Sequence, residues 1–380
     1  MIKKDNIALI GAADRNVGKT EFACSLINRY SNSRKVVAVK VTTVKESNGK
    51  CPRGGDGCGV CSSLLGEYSI TEETDAESKK DTSRMLRAGA DKVYWLRVLS
   101  TGLMNGFKEL LAKIHKENGT DLCIVCESNS LRKVLKPGIF LVLNRAGNEK
   151  IKPSCKEVMH YADKFINLIS VEKGFDADLE DFSFINKSWY IKKNAAVIIL
   201  AGGNSSRMGS DKSQLLVSKK TMVKHIIDQV KPYFKQIIIG ANDVAKFQDL
   251  NCKIVPDKTE GYGPLMGILS CLESSDYNVN FLLACDIPDI NMEFVDKMFL
   301  EVNKEYDAVV PKSSENFIEP LFAIYKKSII STIEDILFKL NKKRISLIFD
   351  NINTKYIDFE NCDWYHNINT KEDYHNFISR

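Results

Sequence analysis

Leu200-Ala201-Gly202-Gly203-Asn204-Ser205-Ser206-Arg207-Met208-Gly209-Ser210-Asp211-Lys212 follows without a break on the apolar run Ala195–Leu200. A continuous apolar run of this length reads as a strand buried on both faces, the kind found inside a parallel sheet. The loop after it has the chemistry that a triphosphate requires. Gly202 and Gly203 let the backbone come close to an anion and turn its N–H groups toward it. Arg207 offers two parallel hydrogen bonds to a phosphate, and Lys212 adds a mobile point charge. A glycine pair alone would describe only a turn, and the arginine, third glycine and lysine in one loop make it a phosphate cradle. Leu200, Ala201, Gly202 and Gly203 are therefore read as nucleotide-binding, and Arg207 and Lys212 as the charges that act on the phosphates.

Working outward, the same scheme of buried strand, loop and amphipathic helix recurs along the whole chain. Downstream, Gln236–Gly240, Asn280–Ala284 and Asp307–Val310 read as strands, and Leu265, Ile268, Leu269 and Leu272 mark a helix face. Upstream, the strands are Ile7–Ile10, Lys35–Val41, Leu122–Val125 and Ile139–Leu143, with a helix face at Phe22, Leu26, Ile27 and Tyr30. The expectation is an α/β protein of two three-layer domains, each a parallel sheet covered on both faces. Their boundary falls near residue 192, giving domains 1–192 and 193–380. The polar run Asp176–Asp181 precedes it, and Phe182–Ile191 reads as a hairpin turning near Asn186-Lys187.

Asp286 stands just past the strand Asn280–Ala284, at the edge where open α/β sheets bind ligands. A carboxylate there suits Mg²⁺, which takes few protein oxygens and completes its shell from phosphates and water. The upstream half has its own loop, Gly11-Ala12-Ala13-Asp14-Arg15-Asn16-Val17-Gly18-Lys19-Thr20. Counted back from Gly18-Lys19-Thr20, the first small residue of a P-loop falls on Ala13. In a P-loop the backbone amides cradle phosphates at a helix N-terminus, Lys19 reaches the outer phosphates and the Thr20 hydroxyl faces Mg²⁺.

A third feature is Cys51-Pro52-Arg53-Gly54-Gly55-Asp56-Gly57-Cys58-Gly59-Val60-Cys61. Cys51, Cys58 and Cys61 at this spacing are compatible with zinc or an iron–sulfur cluster, with a fourth ligand supplied from elsewhere. Cys155 is one candidate for it. Cys123 and Cys126 are poor joint donors, because residues three apart on a strand point to opposite faces. The alternative reading is a glycine-rich surface loop with incidental thiols.

Composition sets the outer limits. A net charge of +5 with scattered basic residues suits a handler of phosphorylated small molecules and excludes a nucleic-acid footprint. The N-terminus leaves no room for a signal peptide, and no apolar run approaches the roughly 18 residues of a membrane span. A cytoplasmic protein with reduced cysteines is expected. The five histidines form neither a metal nor a triad spacing, which agrees with chemistry that needs no side-chain nucleophile.

The loop Leu200–Lys212 resembles the signature of the molybdenum cofactor guanylyltransferases (MobA-type), nucleotidyltransferases with a Rossmann-like fold. The likeness continues through Asn242, Pro256-Asp257, Gly261-Tyr262-Gly263-Pro264-Leu265-Met266-Gly267, Ala284-Cys285-Asp286-Ile287-Pro288, Glu319-Pro320-Leu321 and Asn367-Ile368-Asn369-Thr370. The resemblance implies that Asn242, Asp257 and Gly263 lie near the guanine side, that Asp286 carries Mg²⁺, and that the last two segments face the acceptor. It implies transfer of GMP from GTP to the terminal phosphate of molybdopterin or the molybdenum cofactor, with pyrophosphate released. Molybdoenzyme apo-proteins and other cofactor-maturation proteins are then natural partners, whereas nucleic acid and membranes are not.

Lys80-Asp81-Thr82-Ser83-Arg84 with Ala88-Gly89-Ala90 resembles the MobB-type adaptor GTPases, implying that Asp81 lies near the upstream nucleotide and that Glu127 is its acidic metal-side residue. Two departures stand against guanine there. Lys40-Val41-Thr42-Thr43 replaces a histidine segment, and Asn144-Arg145 is at best a remnant of the guanine motif. Three alternatives stay open for the chain: CMP transfer to the same pterin, nucleotidyl transfer to a sugar phosphate, and a cofactor-binding chaperone without turnover.

Overall fold

The computed structural model describes residues 1–44, 64, 66–148, 150–170, 172–202, 211–313, 317–359 and 364–379. The chain divides into two compact units, Met1–Ile191 and Lys192–Arg380.

In the first unit the strands are β1 (Ile2–Ala12), β2 (Val36–Val44), β3 (Tyr68–Glu72), β4 (Lys92–Leu99), β5 (Cys123–Glu127), β6 (Leu135–Arg145), β7 (Lys164–Ser170) and β8 (Gly174–Phe175). They form one sheet in the order β3-β4-β2-β5-β1-β6-β7-β8. The six inner strands run parallel, whereas β3 and β8 close the edges antiparallel. The sheet is thus mixed, not purely parallel as expected. Alternation along β1 fills both faces. Ile7 and Leu9 enter one core with Val37, Phe107 and Phe140, while Ala8 and Ile10 enter the other with Phe22, Leu26 and Trp189. Helices α1 (Lys19–Ser31), α2 (Asp81–Arg87), α3 (Leu103–Asn118) and the single turn α4 (Pro153–Lys156) connect the strands.

The unit ends in the hairpin β9 (Phe182–Ile185) and β10 (Ser188–Ile191). Asn186 and Lys187 both have positive φ, 47° and 62°, the backbone of a two-residue turn whose twist matches that of the strands.

In the second unit the strands are β11 (Lys193–Leu200), β12 (Leu216–Val217), β13 (Lys220–Thr221), β14 (Phe234–Gly240), β15 (Lys253–Val255), β16 (Val279–Ala284), β17 (Ala308–Lys312), β18 (Phe322–Lys326) and β19 (Thr354–Asp358). The main sheet has the order β15-β14-β11-β16-β18-β17-β19, and β12 pairs with β13 alone. β15, β14, β11 and β16 are parallel, and β18 runs against both its neighbours. Here too the sheet is mixed. Helices α5 (Met222–Val230), α6 (Pro264–Ser274), α7 (Met292–Leu300), α8 (Ile330–Glu334) and α9 (Lys371–Ile378) complete the unit. Val197 and Ile199 of β11 pack into one core with Phe281 and Phe322, and Ala196 and Ile198 pack into the other with Leu269 and Tyr325. Among the described residues, no helix is long and apolar enough to cross a membrane.

Candidate functional site

In the second unit, register brings three loops to one sheet edge. Leu200 pairs with Gly240 on one side and Ala284 on the other, so β11, β14 and β16 end level. The chain leaves Leu200 held in place, since Ala201 N–H donates to Gly240 O and Cys285 N–H donates to Leu200 O, at 2.9 and 3.0 Å. Residues expected on three different loops thus share the carboxyl edge of the sheet, where backbone groups diverge and leave room for a ligand.

Asp286 and Lys212 meet at this edge. The Lys212 ammonium lies 3.2 Å from an Asp286 oxygen and donates to Asn369 Oδ1 at 2.9 Å. Both side chains keep access to solvent, at 18% and 26% exposure for Lys212 and Asp286. The return of the chain is fixed by Ile368 N–H, which donates to Asp286 O at 2.9 Å. A second carboxyl group stands close by. Glu319 is buried, and burial pushes its carboxyl up, as does the charge of Asp286, against a hydrogen bond from the Tyr365 hydroxyl. Burial likewise pushes the Tyr365 hydroxyl up. A lysine and two carboxyl groups in partial burial form a site that can take a cation with its phosphates.

Asn242 and Asp257 form a second group. Asp257 N–H donates to Asn242 Oδ1 at 2.8 Å, and Asn242 Nδ2 approaches the Asp257 carboxylate at 3.3 Å. Burial raises the Asp257 carboxyl above its usual range. Gly263 caps α6 with φ 72° and ψ −165°, a backbone that only glycine adopts freely, and Pro264 then sets the first helical turn. Asp211 is held low by Ser213 and Lys246, against its own desolvation. Of the expected residues, Gly203 and Arg207 lie outside the described ones.

The first unit's glycine loop, expected to be a P-loop, joins β1 to α1. Gly18 caps α1 in the left-handed region, φ 77°, and a Cβ there would stand 2.8 Å from the Phe175 ring. Lys19 and Thr20 open α1, with its free N–H groups and positive dipole end. Asn129 straps the base of the loop: Ala12 N–H donates to its Oδ1 at 2.7 Å, and its Nδ2 donates to Ala12 O at 3.0 Å.

Glu127, opposite Ile10 and Lys40 in the sheet register, is 1% exposed. Among the described residues neither of its carboxylate oxygens has a hydrogen-bond partner, and the Lys19 ammonium lies 3.9 Å away. A buried carboxylate so poorly compensated is costly, by several kcal/mol in general, and suits a cation or its water shell. Asp81 pairs with Lys40 and accepts from the Thr20 hydroxyl; against desolvation, these contacts hold its carboxyl below the usual range. The structure therefore sets Thr20 against Asp81, and Glu127 against Lys19. These residues line or border a cavity of about 1500 Å³.

Sequence reasoning passed over Asn129, Lys40 as the partner of Asp81, and Tyr365 as the partner of Glu319. Nothing local marks them, because each acts across a long stretch of chain. Cys51, Cys58 and Cys61 lie outside the described residues. Cys155, the candidate fourth ligand, is fully buried in an apolar core, and burial raises its thiol. That environment disfavours the thiolate a metal needs, so the candidate is withdrawn. Cys123 and Cys126 enter opposite cores, as strand geometry requires. Among the described residues, no group of three metal-ligating side chains occurs.

The family profile of the MobA-like NTP transferase domain matches residues 197–351, inside the second unit. A probable molybdenum cofactor guanylyltransferase from Peptoclostridium acidaminophilum is 32% identical over 191 residues, 47% of this chain and 86% of its own length. A molybdenum cofactor guanylyltransferase from Campylobacter jejuni strain RM1221 is 30% identical over 185 residues, 48% of this chain and 95% of its own. Among solved structures, molybdopterin-guanine dinucleotide biosynthesis protein A from Archaeoglobus fulgidus aligns with a TM-score of 0.43 and 23% identity, over 48% of this chain and 97% of its own.

Proposed function

Because the C-terminal half of the chain belongs to the molybdenum cofactor guanylyltransferase family, and is a nucleotidyltransferase, we propose that it transfers GMP from GTP to molybdopterin. The acceptor's terminal phosphate attacks the α-phosphorus of GTP, a phosphoanhydride forms and pyrophosphate leaves. The attacking phosphate is already an anion, so no side-chain nucleophile is required. The observation that carries this reading is the meeting of Lys212 and Asp286 where β11 and β16 end level.

In this reading Lys212 neutralises phosphate charge, and Asn369 holds its ammonium in place while the site is empty of substrate. Arg207 adds a fork-shaped contact to the phosphates. The loop from Leu200 to Gly203 brings backbone amides to them, and Asn242, Asp257 and Gly263 bound the base. Asp286, with Glu319 near it, fits a magnesium ion, which supplies charge neutralisation at the phosphates. Positioning and charge complementarity account for the rate.

The first unit is assigned a supporting role: it binds a magnesium nucleotide at Gly18, Lys19 and Thr20, with Glu127 on the metal side. The buried Glu127 carboxylate, which among the described residues accepts no hydrogen bond and lies 3.9 Å from the Lys19 ammonium, supports that role. No role is assigned to the cysteine segment 51–61.

The test is turnover by the whole chain with GTP, Mg²⁺ and molybdopterin. Asp286→Asn is expected to abolish pyrophosphate release while its circular dichroism and melting stay those of the parent. Near-normal release by that variant would refute the assignment.

A further inference from the structure

The P-loop cavity of the first unit contains a cation that neither the loop motif nor the transfer site uses. Four basic side chains lining it are each set against a carboxylate, Lys19 with Glu127, Lys40 with Asp81, Arg84 with Glu21 and Lys133 with Glu157, and two more, Arg15 and Arg145, are exposed to solvent. Lys152 also lines the cavity, half-buried, yet among the described residues its ammonium has no ion pair and no hydrogen bond. Burial and the neighbouring Lys19 charge both push its pKa down. Two ammonium groups thus repel each other in one partly dry cavity, and the carboxylates near them, Glu127 at 3.9 Å from Lys19 and Asp14 acting on Lys152, offset this only in part. An anion bound between them would turn that repulsion into attraction.

The backbone fixes where this charge stands. Lys152 N–H donates to Ala13 O at 2.8 Å, and Ala13 is the first small residue of the P-loop. Lys152 also begins the turn α4, its carbonyl accepting from Cys155 N–H at 2.9 Å, and Cys155 is buried in the core. The lysine is therefore tied to the entry end of the loop, whereas Lys19 and Thr20 stand at the helix end. A phosphate chain whose inner groups sit on the N-terminus of α1 extends its outermost group toward that entry end.

The geometry points to Lys152 as a second phosphate-binding lysine that reads the terminal phosphate, making the first unit's site selective for nucleoside triphosphates over diphosphates. This rests on the P-loop reading of the first unit. The added terminal phosphate supplies the charge that Lys152 lacks a partner for, and a diphosphate leaves it as it is in the empty cavity.

The experiment is equilibrium binding to the full chain with magnesium present, using GTP against GDP and ATP against ADP. The Lys19→Ala variant serves as the blank for the P-loop site, since the transferase unit also takes nucleotide. The parent is expected to show a Lys19-dependent component that favours the triphosphate. Lys152→Gln should weaken that component for the triphosphate by about ten- to a hundredfold, the scale of one charge-assisted hydrogen bond, and leave the diphosphate nearly unchanged. Lys152→Arg should keep most of the selectivity, and both variants should melt with the parent in the absence of nucleotide. Equal weakening for both nucleotides, or none for either, would overturn the role of Lys152. Absence of any Lys19-dependent component in the parent would overturn the P-loop reading itself, and the inference with it.

Discussion

Lys212 and Asp286 are 74 residues apart in the chain, and Lys212 and Asn369 are 157 apart, yet one ammonium serves both oxygens. Lys212 lies against Asp286 at 3.2 Å. In the proposed transfer it meets the phosphates, so removing it would strip a preorganised positive charge from the place where phosphate charge reorganises. Lys212→Ala is expected to lower kcat for transfer by about 100-fold or more, in the range seen when one preorganised donor is deleted. Steady-state kinetics on the folded variant would check it, and a change confined to KM would place Lys212 in substrate binding alone. Asn369 was readable only as part of a late motif, and its contact with Lys212 is a product of tertiary folding. The Glu319–Tyr365 pair was invisible for the same reason.

At the scale of elements, backbone fit decides more than side-chain chemistry. Gly138 in β6 faces the irregularity in the β1–β6 pairing between Lys4 and Ala8. A Cβ added there would stand 2.1 Å from Asp5 O and 3.2 Å from Trp189 Cβ, so the β1–β6 pair and the hairpin β9–β10 would have to part. Gly138→Ala is expected to destabilise the first unit by about 1–3 kcal/mol or more, the usual cost of forced overpacking. Urea unfolding followed by tryptophan emission would measure it, and an unchanged midpoint would contradict this account of the pairing.

The hairpin itself was legible, because Asn186-Lys187 separates two short apolar runs, and both residues take the positive φ that such a turn needs. The long inner strands were legible as continuous apolar runs, and only their ends moved: Ile7–Ile10 extends to Ile2–Ala12. β4 was missed because it reads Lys-Val-Tyr-Trp-Leu-Arg-Val-Leu, alternating buried and half-buried positions with charged residues between. β18 was missed because its apolar part, Phe322–Tyr325, is only four residues long, and periodicity cannot tell so short a run from a buried turn of helix.

At the scale of the whole molecule, the two loops proposed to bind phosphate belong to separate compact units of one chain. If the chemistry belongs to the second unit, disabling the first should spare it. Lys19→Ala is expected to retain transfer in vitro within about twofold, as expected for a site that takes no part in transition-state stabilisation. Chelation of divalent cations should stop transfer in parent and variant alike, with recovery on adding Mg²⁺. A parallel loss of transfer in Lys19→Ala would instead place the first unit's nucleotide inside the reaction.

The most direct measurement supplies the whole chain with equimolar GTP and CTP, Mg²⁺ and molybdopterin, and identifies the pterin product by mass. Molybdopterin guanine dinucleotide, formed with release of one pyrophosphate each, is the predicted result. A cytosine dinucleotide, or no pterin dinucleotide from a folded chain, would contradict it.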